Sequence, residues 1–114
     1  MVPGDGQVMS SGSDILRRVS VPDAFLFFTD SQTYTGQFAT SLADLCDKVD
    51  KIPLKSVEFH FQRSDFVKWV GRTLGDEDLA DQLRQIDRVV HGEELRVSLK
   101  EAIRKRLEEL TQTV

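Results

Sequence analysis

Read for alternation of apolar and polar positions, the chain divides into an unpatterned start, one hairpin and a run of helices. Residues 1–13 are rich in Gly and Ser with no apolar period, and a flexible arm is expected there. "DILRRVSVP" follows without a clear element, and then "AFLFF" and "TYTGQF" flank the turn-forming "TDSQ", which predicts strands over 24–28 and 33–38. An isolated hairpin is marginal in water, so it must lie on the helices that follow.

Helical spacing begins at "TSLADLCDKVDKIP": Thr40 or Ser41 can start a helix, Leu42, Leu45, Cys46 and Val49 share a face, and Pro53 stops it. "LKSVEFHFQR" is ambiguous. Val57, Phe59 and Phe61 alternate like a strand, while Leu54, Val57 and Phe61 keep helical spacing; a short helix capped by Ser56 is the preferred reading. Ser64 or Asp65 starts the next helix, with Phe66, Trp69, Val70 and Leu74 inward and Gly75 as a left-handed stop. Asp76 caps "EDLADQLRQIDRVV", whose inner face is Leu79, Leu83, Ile86 and Val90, with His91 at its C-terminus, where a helix dipole favours it. The last helix places Leu95, Leu99, Ala102, Ile103, Leu107 and Leu110 on one side. The expected fold is mainly α (α+β): four to five short helices packed with a small N-terminal β-hairpin, one globular domain over 14–114, no repeats.

Length and composition keep this picture and narrow the function. At 114 residues the chain supplies one small core. With 39% apolar and 30% charged residues it is soluble in character, and its longest apolar run, "AFLFF", is far short of the roughly 20 residues a membrane helix needs. The start lacks the basic and hydrophobic regions of a secretory signal, and the single cysteine allows no internal disulfide, so a cytoplasmic setting is expected. A net charge of −4 offers no general attraction to nucleic acid or anionic lipid.

The chemical motifs are few. The helix, Gly75-Asp76 turn and helix resemble a helix-turn-helix in outline, yet the second helix opens with Asp76, Glu77 and Asp78, which oppose phosphate and suit a helix start. Arg96, Lys100, Arg104 and Arg106 form a basic series on the last helix, interleaved with Glu101, Glu108 and Glu109 at pairing distance, and form the candidate partner surface. His60, His91 and Cys46 have no metal-ligand spacing, Gly71 and Gly75 make no phosphate loop, and neither metal nor cofactor is expected. Cys46 falls on an apolar face, as a small hydrophobe does.

The densest stretch is "FHFQRSDFVKWV". His60 with Asp65 and a neighbouring serine, Ser56 or Ser64, is the only composition that approaches a nucleophile and base, and it is too local to define a cleft. His60, Arg63, Asp65 and Trp69 are therefore a candidate cluster of two kinds. As structure, Asp65 caps the helix it begins and accepts from His60 or Arg63, locking a corner closed by Phe66 and Trp69. As function, the same residues line a ligand site.

The pattern Phe59-His60, Asp65-Phe66, Trp69, then Gly75-Asp76 and Leu79-Ala80, with Thr35-Gly36 and Ala39 to Leu42 upstream, resembles an uncharacterised family of small prokaryotic domains over about residues 25–95. The resemblance implies a recurring domain and carries over no catalytic residue. The expected function is a cytoplasmic accessory or protein-interaction domain without catalytic activity, self-associating or partner-binding through the last helix. One alternative is a small-ligand or enzymatic site around His60, Asp65 and Trp69. The other is nucleic-acid contact through the basic face of the last helix.

Overall fold

The structure is a computed structural model, which describes residues 12–112. Its elements are α1 (Gly12–Leu16), a 3-10 turn (Val21–Asp23), β1 (Phe25–Asp30), β2 (Thr33–Ala39), α2 (Leu42–Lys51), α3 (Leu54–Gln62), α4 (Asp65–Lys68) continuing into a π-helical turn (Trp69–Thr73), α5 (Glu77–Arg84) and α6 (Gly92–Gln112). This is the expected mainly helical α+β architecture. It has one helix more than expected: α1, in "DILRRVSVP", is anchored by the buried Ile15. The arm expected over 1–13 lies outside the described residues up to residue 11, and Gly12 and Ser13 belong to α1.

The hairpin turns tightly at Ser31-Gln32 because Asp30 accepts from the Gln32 N–H (2.9 Å) and from the Thr33 hydroxyl (3.1 Å). Its pairs Leu26↔Phe38 and Phe28↔Tyr34 set Thr35, Gly36 and Gln37 against Phe27 alone. Gly36 takes φ +85° in this bulge, a backbone that side-chain-bearing residues rarely adopt, and the Thr35 hydroxyl donates to the Phe27 carbonyl at 2.8 Å. Phe25 and Phe27 are buried on one face. Leu26, Tyr34 and Phe38 remain 43%, 44% and 38% exposed, with the Phe28 ring 5.4 Å from that of Tyr34.

Helices α2, α3, α5 and α6 enclose the core, with α2 and α3 both against α6 and α3 also against β1. Val49, Val57, Leu79, Leu95, Leu99 and Ile103 are fully buried. Ser41 caps α2 by accepting from Asp44 N–H, while Asp44 accepts in return from Thr40 N–H.

Three local expectations are corrected. Helix α3 starts directly after Pro53, whose carbonyl accepts from Ser56 N–H, so Ser56 is inside the helix with its hydroxyl buried and unpartnered among the described residues, and caps nothing. Ser64 precedes α4 in a left-handed conformation (φ 62°) without a side-chain cap, and Asp65 turns its carboxylate to side chains instead of backbone. Helix α5 ends at Arg84, well before Val90, and a turn in which Asp87 accepts from Val89 N–H follows; His91 is thus exposed ahead of α6 and not at a helix C-terminus.

Arginines from distant elements satisfy helix-end carbonyls that have no partner inside their own helix. Arg96 donates to Val49 and Ile52 behind α2, Arg88 to Phe61 and Gln62 behind α3, and Arg17 to Thr73 and Leu74 behind the π-helical turn. Gly75 follows at φ +80°, the expected left-handed stop. Asp76 then caps α5 through Leu79 N–H and receives Arg106 at both carboxylate oxygens (2.8 and 3.0 Å), joining α5 to α6.

Candidate functional site

His60 sits in the last turn of α3 with 4% of its surface exposed. Its Nε2 is 2.9 Å from Phe28 N, and because a backbone N–H only donates, Nε2 must be the acceptor. The proton is then on Nδ1, which donates to Asp65 Oδ2 at 2.8 Å. Burial holds the His60 pKa below its ordinary 6.5 despite the carboxylate's opposing pull. Geometry agrees, since a second proton on Nε2 would face the Phe28 N–H donor.

The left-handed Ser64 reverses the chain within two residues, which brings Asp65 back to a histidine five positions earlier. Arg63 lies 3.3 Å from the same carboxylate oxygen and stacks its guanidinium over Phe59, 5.0 Å from the ring centre. Trp69 donates its indole N–H to the Asp23 carbonyl (2.8 Å), fixing the approach to β1, and its ring meets Phe25 edge-on at 5.8 Å. Phe25 also stacks on Phe66 at 5.1 Å and touches His60 at 4.8 Å. The four residues singled out from sequence are thus brought together at one corner.

That corner opens on a concavity of about 490 Å³. Leu26 and Phe28 of β1, Phe59 of α3 and Trp69 supply its apolar walls, and His60 and Asp65 lie in its lining. Three cations, Arg63, Lys68 and Arg72, line it against the single carboxylate of Asp65. Arg63 is answered by Asp65; no carboxylate among the described residues pairs with Lys68 or Arg72. The i→i+5 bond from Leu74 N–H to the Trp69 carbonyl marks the π-helical turn at this wall, and such turns recur at functional sites.

Sequence reasoning missed Leu26, Phe28, Lys68 and Arg72. Two signals were available. "AFLFF" is apolar without alternation, so both faces of β1 ask for cover, and Lys68 and Arg72 are like charges four apart in a helix, a pairing that costs stability unless something else answers it.

The basic series of α6 is arranged differently. Arg96 is spent on α2 carbonyls and Glu93, Lys100 pairs with Asp50, Arg104 with Glu101 and Glu108, and Arg106 with Asp76 and Glu109. The hydrogen bonds that Arg106 donates to Asp76 hold its pKa above the ordinary value. Cys46 is buried, and that burial raises its thiol pKa. Among the described residues, no group of three or more His, Cys, Asp or Glu is placed to hold a metal, and no helix is long and apolar enough to cross a membrane.

Fold and site together define a small, mainly helical α+β domain with a hairpin laid on its helices and an aromatic, basic-rimmed concavity where the two meet. The model of DUF5752, a family of unknown function, matches residues 24–114, and the chain belongs to that family. The match runs from the approach to β1 to the end of the chain and contains the whole concavity. No curated protein and no solved structure matches the chain.

Proposed function

We propose that the chain is a non-enzymatic protein-interaction domain of the prokaryotic cytoplasm, and that it receives its partner at the concavity and the adjoining outer face of the hairpin. The observation that carries this reading is continuity. Leu26 and Phe28 line the concavity and also pair across the strands with Phe38 and Tyr34, so one apolar surface runs from the cavity wall over the sheet. Exposed apolar surface of that kind, rimmed by charge, is characteristic of docking sites. The state of His60 supports binding over catalysis. A general base needs a free lone pair, and its only unprotonated nitrogen is occupied by a backbone N–H.

Site-specific photocrosslinking tests the reading. With p-benzoylphenylalanine in place of Leu26, native extract should give a discrete protein adduct that excess unlabelled chain suppresses and excess Leu26→Asp chain does not. The same label at Val97, 57% exposed on α6, should give none. Adducts at Val97 alone would move the interface to the last helix.

A second reading, small-ligand binding in the concavity, is favoured by its volume, which falls within the roughly 300–1,000 Å³ range of ligand pockets.

A further inference from the structure

We infer that the occupant of this surface is an extended, acidic segment of a partner protein that also carries a bulky apolar side chain. The inference rests on the protein-interaction reading and names the chemistry of the partner. Charge sets the first condition. The chain carries −4 overall, yet the concavity sets three cations against one carboxylate, and Lys68 and Arg72 are the two without an acidic partner among the described residues. An acidic ligand answers both.

Spacing sets the second. Lys68 and Arg72 stand four residues apart across the junction of α4 with the π-helical turn, a rise of at most about 6 Å, the α-helical value. Alternate residues of an extended strand, which face the same way, are about 6.7 Å apart. Two acidic side chains at positions i and i+2 of an extended segment therefore match the two cations, whereas a helical segment would need acids three or four apart. The aromatic walls at Phe28, Phe59 and Trp69 set the third condition: a Leu or aromatic residue on the same face, two positions from the acidic pair. The expected signature is bulky apolar, any residue, acid, any residue, acid, in either direction.

The backbone supplies a point of attachment for such a segment. Among the described residues the sheet has two strands, so the side of β1 away from β2 has no strand neighbour there, and Ala24, Phe25, Leu26 and Phe28 border the concavity. Ala24 N–H is given to the Val21 carbonyl and Phe28 N–H to His60, which confines strand addition to Leu26 between them. Length favours a peptide over a small molecule, since a ligand filling the cavity would leave Tyr34 and Phe38 uncovered.

The test pans displayed random peptides on the full chain and measures the synthesised winners by calorimetry. Lys68→Glu/Arg72→Glu and Leu26→Asp are exposed substitutions whose folding is checked by circular dichroism. Winners should carry the acid-x-acid signature, weaken about tenfold or more on the charge-reversed chain, and weaken with rising salt. Neutral or basic winners, or winners that bind the charge-reversed chain unchanged, overturn the acidic assignment; if Leu26→Asp still abolishes them, the docking surface itself stands. Winners indifferent to all three substitutions, or no winners, overturn both. Benzoate or phenyl phosphate binding at Trp69 as tightly as the best peptide assigns the cavity to small anions and overturns the inference. A dimer that Leu26→Asp dissociates assigns the surface to a second copy and overturns it too.

Discussion

Two aspartates, eleven residues apart, close two helix corners by different means. Asp76, 1% exposed, spends both oxygens on the guanidinium of Arg106 and one of them also on the α5 backbone. Asp65, its side chain 20% exposed, gives one oxygen to a neutral histidine and the guanidinium of Arg63, and the corner it closes borders open space. The first corner is finished by the chain itself. At the second, the polar groups that hold the fold are consumed, while aromatic faces stay open and Lys68 and Arg72 have no acidic partner among the described residues. A polar cluster is therefore separated into structure and recognition by asking which of its groups already have partners.

Identical substitutions at the two corners sharpen the contrast. Asp76→Ala removes a cap and half of a buried pair, and urea unfolding should show a loss of about 3–5 kcal/mol. The double variant Asp76→Asn/Arg106→Met keeps the cap, removes the charges and should recover most of it. Asp65→Ala leaves the His60 Nδ1–H unanswered near solvent and should cost less, about 1–2 kcal/mol. Equal losses would mean that the second corner is as closed as the first.

Acid should act on the His60 corner. The folded-state pKa of His60 lies below 6.5, so as pH falls the unfolded chain takes up the proton first. The His60 contribution is complete above about pH 6.5 and declines below it, by no more than about 1.4 kcal/mol per pH unit for one proton. Melting temperatures of the wild-type chain and His60→Asn across pH 7.5 to 5 should converge as pH falls. A gap that stays constant would remove histidine titration from the account. The smallest effect belongs to Ser64→Gly, which relieves the left-handed backbone and gives up a contact with Arg88; a gain of about 0.5 kcal/mol is expected in the same urea assay.

Much of this fold was legible because it follows local pattern. The apolar faces of α2 and α6, the hairpin turn at Ser31-Gln32, the Asp76 cap and the Gly75 stop depend on residues within a few positions of one another. What failed was governed at longer range. Ser56 has the chemistry of a cap, but Pro53 already starts the helix, and the start of α3 decides where Ser56 points. Arg96 has the look of a surface cation, while its partners Val49 and Ile52 lie more than forty residues away. The candidate site was half visible. His60, Arg63, Asp65 and Trp69 are close in sequence and were grouped; the opposite wall comes from β1, and only the folded chain brings Leu26 and Phe28 across from them.

The central claim is that His60 is a neutral corner lock whose nitrogens are both committed, which is the ground for proposing that the concavity beside it binds without catalysing. Two-dimensional ¹⁵N NMR of the imidazole at pH 7 tests this most directly. The account predicts the neutral Nδ1–H form, with Nε2 shifted as an acceptor and titration below pH 6.5. An Nε2–H tautomer, or an imidazolium persisting above pH 6.5, would contradict it.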